Sequence, residues 1–101
     1  MYNIYYNPEK FGLTVIGEID YGEMYEFDKI VVWERSDGVY VWGADSGCSC
    51  PTPFEDTTLD ELEFVGPLKY FVVTLTKNPN AKERKSQILD LIEKMKKAGI
   101  K

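Results

Sequence analysis

Two cysteines that stand two positions apart, Cys48 and Cys50, are the residues whose type and spacing most invite chemistry. A disulfide between them would be strained, because bridged Cα atoms prefer to lie about 5.5–6 Å apart. As a zinc site the pair is incomplete, since structural zinc takes four ligands and the chain has no His and no third Cys. A metal would need Asp45, Glu55 or Asp56, or a second copy of the chain. We expect a structural packing role, and a metal site or a redox pair are the alternatives.

Carboxylates are the second group that could carry chemistry. They lie on both sides of the cysteines, at Asp45, Glu55, Asp56, Asp60, Glu61 and Glu63. Neighbouring carboxylates can divide acid and base roles or hold a cation such as Mg²⁺. The lack of His removes the commonest general base, and helix capping with solvation accounts for most of the acidic residues. We therefore predict a protein that is not an enzyme and has no cofactor.

An aromatic hairpin leads directly into the cysteine loop. Residues 27–35 and 39–44 are rich in β-forming side chains, and Asp37-Gly38 between them predicts a two-residue type I′ turn. In that register Trp33 faces Trp42, Arg35 faces Tyr40, and all four share one face. Such a face could stack on a nucleotide or anchor a protein interface, while a place in the sheet core is the alternative.

The remaining patterns predict the elements that position this hairpin. We expect strands at 1–8, 13–19 and 69–76, a short helix at 57–64, and an amphipathic helix at 81–98 that begins after Asn80 and ends before Gly99. Gly17 indicates a β-bulge or a close backbone approach. The prediction is one α+β domain spanning residues 1–101. In it an antiparallel four- or five-stranded sheet packs against one long C-terminal helix, with a short helix after the Cys/Pro loop.

Charge is divided unevenly along the chain. The net charge is −5, yet residues 1–76 carry 4 basic and 14 acidic residues, whereas residues 77–101 carry 8 basic and 3 acidic ones. The acidic body should repel nucleic acid, so nucleic-acid binding is not favoured. The chain lacks an apolar run of about 18 residues and a signal-peptide pattern at its start, so we expect no membrane association and a cytoplasmic location.

The run Asp-Ser-Gly-Cys-Ser-Cys-Pro-Thr-Pro-Phe-Glu at residues 45–55 follows the hydrophobic hairpin. Together these features resemble an uncharacterised family of small bacteriophage proteins that share a DSGCSCPxPFE signature, over about residues 26–62. The resemblance implies a phage origin and a host bacterial cytosol. Small acidic phage proteins of this kind often bind host machinery or host defence components.

We thus predict a non-enzymatic phage accessory protein that binds a host protein, in host takeover or anti-defence, through the 45–56 loop and the aromatic hairpin. The candidate binding residues are Trp33, Arg35, Tyr40, Trp42, Asp45, Ser46, Cys48, Cys50, Pro53, Phe54 and Glu55. One alternative is a protein that binds a small ligand or nucleotide as a sponge. A metal- or redox-dependent protein using Cys48 and Cys50 is another, and a symmetric homodimer fits the apolar hairpin.

Overall fold

The computed structural model describes residues 2–48 and 52–101, and it has the predicted α+β fold. A four-stranded antiparallel sheet, ordered β1-β2-β3-β4, carries two helices. The strands are β1 (Leu13–Asp20), β2 (Glu26–Arg35), β3 (Tyr40–Cys48) and β4 (Glu63–Phe64), and the helices are α1 (Leu68–Thr76) and α2 (Lys85–Lys97). Single 3₁₀ turns lie at Pro8–Phe11, Leu59–Glu61 and Ala81–Arg84. No helix among the described residues is both long and apolar enough to cross a membrane.

The β2–β3 hairpin is present, but its predicted register is wrong by one residue. The loop has three residues, 36–38, because the Arg35 N–H donates to the Val39 carbonyl at 2.8 Å. Only Gly38 in this loop has a positive φ, +86°, which matches a type I turn closed by a left-handed glycine. Asp37 instead uses its carboxylate to accept the Val39 N–H at 3.2 Å. Val32, and not Trp33, therefore faces Trp42.

This one-residue difference sends the two tryptophans to opposite faces of the sheet, since side chains alternate along a strand. On one face α1 and α2 cover a core that includes Val32, and the half-buried Trp42 packs edge-on against Phe71 at 5.4 Å. On the other face lies a second core, made of Ile4, Leu13, Val31, Trp33, Val41 and Phe54. Both faces of the hairpin are therefore covered.

The prediction of a strand at 69–76 is wrong, because this segment forms α1. Leu68, Phe71 and Leu75 are buried at helical spacing, whereas Tyr70 and Val73 are exposed. Alternating β-branched and aromatic residues favoured a strand locally, but packing of the helical stripe on the sheet outweighs that propensity.

Two other predicted elements also differ. Of the strand predicted at 1–8, the described residues 2–8 form none, because the Asn3 side-chain oxygen accepts the N–H groups of Tyr5 at 2.6 Å and Tyr6 at 3.2 Å and so folds the chain into a turn. The helix predicted at 57–64 is only the turn Leu59–Glu61, after which β4 begins. The turn ends because Leu62 is already extended, and β4 then pairs with β3 at two positions only.

Two glycine predictions are confirmed, and Asn80 lies at the predicted N-terminal boundary without a capping bond from its side chain. The strand register shifts between Val15 and Gly17, and a Cβ on Gly17 would lie 2.8 Å from Leu91, so the position is both bulged and closely approached. Gly99, with φ +102°, follows the end of α2. Asn80 makes no side-chain capping bond; its amide donates to the Tyr21 carbonyl at 3.0 Å instead.

Candidate functional site

The segment 52–57, which we call the anchored loop, is held against the second core by Phe54. The Phe54 side chain is 1% exposed. Its ring stacks on Tyr5 at 5.9 Å and meets Trp33 edge-on at 5.5 Å. Each such aromatic pair contributes about 0.5–1.5 kcal/mol beyond the area that it buries. Phe54 therefore fixes the loop from inside the molecule, and its ring is not on the surface where the sequence-based hypothesis placed a binding residue.

Two side chains outside the loop hold its backbone. The Asp45 carboxylate accepts the Phe54 N–H at 2.7 Å, and the Asn3 amide donates to the Pro53 carbonyl at 3.0 Å. Within the loop, the Glu55 N–H donates to the Thr52 carbonyl at 3.1 Å. A hydrogen bond to an ionised acceptor is worth roughly 1.5–3 kcal/mol. Asp45, Pro53 and Phe54 thus act together as the support of the loop.

Phe54 adopts a left-handed backbone conformation with φ +60°. A non-glycine residue held there costs of order 1–3 kcal/mol and persists only where the surroundings enforce it. The buried ring and the Asp45 hydrogen bond provide that enforcement. The turn consequently points the next two side chains, Glu55 and Asp56, toward solvent, where both are exposed.

An acidic groove of about 330 Å³ lies between the anchored loop and β3. It is lined by Phe27, Asp45, Ser46, Thr52, Glu55, Asp56, Thr57 and Glu61. Asp45 is engaged with the Phe54 N–H, and Glu61 accepts the Thr58 N–H at 3.3 Å. Four carboxylates and no basic side chain line the groove, so it carries a concentrated negative potential that favours a cationic group.

A second groove, the tyrosine groove, lies on the other side of the loop and has about 280 Å³. Its lining residues are Tyr2, Asn3, Tyr6, Asn7, Thr52 and Glu55. Tyr2 is 61% exposed and Tyr6 is 62% exposed, and the Tyr6 ring packs edge-on against Tyr5 at 4.9 Å. Because Thr52 and Glu55 line both grooves, the two form one continuous region, which we call the loop surface.

The four predicted hairpin residues do not lie together. Trp33 is 0% exposed, and Trp42 packs under α1. The Tyr40 hydroxyl donates to the Ala98 carbonyl at 2.5 Å and so fastens the end of α2 to the sheet. Arg35 is exposed and pairs with Asp37 at 2.7 Å. Only Arg35 among them is freely accessible, so the predicted single aromatic face does not exist.

Arg35 instead borders a separate cavity of about 520 Å³ near the hairpin turn. The cavity is lined by Phe11, Gly12, Arg35, Ser36, Asp37, Val41, Leu59, Asp60, Leu62 and Phe64. The Phe64 ring, on the edge strand β4, is 71% exposed. This cavity joins an aromatic ring with a guanidinium group, although Asp37 already pairs with the latter.

The cysteine motif is described only in part. Cys48 is exposed at the end of β3, so it does not fill the buried packing position predicted for it. Cys50 lies outside the described residues, together with Ser49 and Pro51. Within residues 2–48 and 52–101, no three His, Cys, Asp or Glu side chains gather in a way that could hold a metal ion. The metal and redox alternatives remain predictions.

A polar network that joins β1, β2 and Tyr5 could not be predicted from the sequence. Lys29 contacts Glu18 at 2.9 Å and Asp20 at 3.5 Å, and the Tyr5 hydroxyl donates to Glu18 at 2.9 Å. Burial alone would lower the pKa of Lys29, but the hydrogen bonds to Glu18 and Tyr5 outweigh burial and raise it. Burial raises the pKa of Tyr5. The only sequence signal was the alternation of charged with apolar residues in two neighbouring strands.

The turn between β1 and β2 is held by Arg84, which lies in the segment before α2. Arg84 donates from Nε to the Asp20 carbonyl at 2.9 Å and from a terminal nitrogen to the Gly22 carbonyl at 2.7 Å. Backbone hydrogen bonds outweigh burial and lower the pKa of Asp20. This arginine therefore serves structure, because it holds the turn between β1 and β2 through two backbone carbonyls.

Comparison with known proteins places the chain in a family without assigning an activity. Neither the curated proteins nor the solved structures contain a match to it. A family model described as a domain of unknown function (DUF7574) matches residues 2–100. The match covers nearly the whole length, and the chain therefore belongs to the DUF7574 family.

Proposed function

We propose that the protein is a non-enzymatic binding protein that recognises a protein partner through the loop surface. Glu55 and Asp56 are exposed on the anchored loop, and this observation carries the proposal. The exposed rings of Tyr2 and Tyr6 lie beside Glu55 in the tyrosine groove. A surface whose groups are already positioned loses little conformational entropy on binding.

The composition of the loop surface supports a protein partner. Tyrosine is enriched at protein interfaces because its ring offers a large apolar area and its hydroxyl a polar contact. The carboxylates would steer a basic surface toward the groove and exclude acidic competitors. A polyanion such as nucleic acid is disfavoured by the same charges.

The resemblance to small phage proteins supports a more specific proposal. The partner is a protein of the bacterial host, bound in the host cytosol as part of host takeover or anti-defence. Compared with the sequence-based hypothesis, the proposed contacts move from Trp33, Trp42 and Phe54 to Tyr2, Tyr6, Glu55 and Asp56. Asp45 and Pro53 then contribute as supports of the loop.

Affinity capture from bacterial lysate with matched variants tests the proposal. Glu55→Gln/Asp56→Asn removes two charges from the acidic groove, and neither side chain makes a hydrogen bond or ion pair with another described residue. Glu83→Gln/Glu93→Gln removes two charges from the C-terminal segment as a control, and the exposed Glu93–Lys97 pair at 3.4 Å that it breaks contributes little to stability. We expect a protein that wild type and the control retain and the groove variant loses. Equal recovery by all three would contradict the proposal.

A small nucleotide-like ligand is the second candidate, and the cavity beside Arg35 and Phe64 favours it. A base could stack on the exposed ring while a phosphate replaces Asp37 at the guanidinium. Thermal unfolding with a nucleotide panel at about 1 mM tests this, since a ligand that binds the native state raises the midpoint. Arg35→Gln should abolish such a shift and Lys82→Gln should preserve it; the absence of any shift would remove this candidate.

A further inference from the structure

β3 extends well beyond the strand that covers its outer side. β4 pairs with β3 at Val41 and Trp42 only, whereas β3 continues to Cys48. Among the residues that the structure describes, none forms a strand beside Ala44–Cys48 on that side, because the sheet order places only β2 and β4 next to β3.

The backbone groups along this free edge point outward at alternate residues. The Arg35 N–H donates to the Val39 carbonyl, which places the backbone groups of the odd-numbered β3 residues toward β2. The Val65 N–H donates to the Tyr40 carbonyl, which places the even-numbered groups toward β4. The N–H and C=O groups of Ala44, Ser46 and Cys48 therefore face away from the sheet.

Within residues 44–48, this edge carries no proline, no lysine and no bulge, three features by which proteins commonly protect an exposed strand. The side chains at Ala44, Ser46 and Cys48 are small, and all three residues are exposed. The sheet's other edge, β1, is interrupted by its bulge between Val15 and Gly17. The β2–β3 register has no such interruption from Glu26 to Glu34.

The acidic groove runs beside the same edge. Asp45 and Ser46 line one wall of the groove, and Glu55, Asp56 and Glu61 line the other. A strand added next to Ala44 and Ser46 would turn every second side chain toward these carboxylates, since side chains alternate along a strand. The charge of the groove selects lysine or arginine at those positions.

We infer that the free edge of β3 accepts an extended, basic peptide segment of the partner as an added antiparallel strand, in line with β4. This inference rests on the proposed function and names the partner's contacting segment. Main-chain hydrogen bonds to Ala44, Ser46 and Cys48 hold the segment, and the acidic groove reads its alternate basic side chains. The contact spans about five residues, or about 17 Å.

Amide hydrogen exchange of the ¹⁵N-labelled full chain tests the inference directly. The probe is a blocked seven-residue peptide that alternates lysine and valine, and the control peptide has glutamate in place of lysine. Exchange at the Ala44 and Ser46 amides should slow at least about tenfold with the lysine peptide, because these N–H groups become hydrogen-bonded. The glutamate peptide should leave both rates unchanged.

A proline variant provides the second test. Ser46→Pro removes an outward N–H without removing a β2–β3 hydrogen bond, and proline is tolerated at such edge positions. We expect it to bind the lysine peptide at least about tenfold more weakly, whereas Ser46→Ala, which keeps the N–H, should bind like wild type. The exchange measurement on wild type decides the question independently of how Ser46→Pro folds.

The outcomes separate this inference from the proposed function. One outcome overturns strand addition and leaves the acidic groove as a binding site. In it, Glu55→Gln/Asp56→Asn loses binding, Ser46→Pro keeps it, and exchange at Ala44 and Ser46 is unchanged. Failure of the lysine peptide to bind also overturns strand addition. Loss of binding in both variants together with slowed exchange supports it.

Discussion

Replacing Phe54 with alanine should cost a large part of the stability of the protein. The ring is 1% exposed and contacts Tyr5 and Trp33, so its removal leaves a cavity in the second core. Truncation of a buried Phe to Ala costs about 3–5 kcal/mol. A domain of this size has a free energy of unfolding of about 5–15 kcal/mol, so the variant should lose about a fifth of it or more.

The backbone at this position makes a second, sharper prediction. Glycine is usually about 0.5–1 kcal/mol less stable than alanine inside regular structure. At Phe54 the φ of +60° penalises any L-residue by about 1–2 kcal/mol, and glycine avoids that penalty. Phe54→Gly should therefore be as stable as Phe54→Ala, or up to about 1.5 kcal/mol more stable.

Urea unfolding followed by tryptophan fluorescence measures both effects, because Trp33 contacts the Phe54 ring. Phe64→Ala is the control, since that ring is 71% exposed and should change the free energy of unfolding by less than about 0.5 kcal/mol. The reasoning is refuted if Phe54→Ala costs no more than Phe64→Ala. A Phe54→Gly variant less stable than Phe54→Ala would contradict the penalty assigned to the positive φ at this position.

Three further predictions concern the support of the anchored loop, the close packing on β3 and the buried Tyr21. Asp45→Ala should lower the free energy of unfolding by about 1–3 kcal/mol in the same urea assay, because the Phe54 N–H loses its acceptor. Asp45→Asn keeps an oxygen there and should cost less. Gly43→Ala should cost more than Gly66→Ala in the same assay, since its Cβ would lie 2.7 Å from a Leu62 methyl group and 3.3 Å from the buried Phe54 ring, whereas a Cβ on Gly66 meets open space. Burial raises the pKa of Tyr21 to about 12. Because the phenol of the unfolded chain ionises first, the free energy of unfolding of wild type should fall by roughly 1–2 kcal/mol between about pH 10 and pH 12. Tyr21→Phe should show a smaller loss over that range, and equal losses would contradict this assignment.

Several parts of the fold could be predicted because local pattern and tertiary packing agree there. The hairpin strands alternate and are covered on both faces, Gly17 lies at the bulge, and Gly99 ends α2. The hairpin register could not be predicted, because Asp-Gly suits both a two-residue loop and the final positions of a three-residue loop. That choice alone decided whether Trp33 and Trp42 share a face.

The site was harder to predict than the fold. The importance of residues 45–56 was evident from composition, but an alternating pattern cannot show that Phe54 turns inward at a left-handed residue. Tyr2 and Tyr6 were assigned to a strand, since nothing in the pattern of residues 1–8 reveals that Asn3 would bind the backbone ahead of it. Contacts between distant segments, such as Asn3 with Pro53, decide which side chains reach the surface.

The central claim is that the acidic groove binds a protein partner, and its most direct test is the affinity of the captured partner for the purified chain. Calorimetric titration should show that Glu55→Gln/Asp56→Asn binds at least about tenfold more weakly than wild type, with a difference that shrinks as salt rises. Glu83→Gln/Glu93→Gln should bind like wild type. Equal affinities for the groove variant and wild type, or an equal loss in both variants, would contradict the claim.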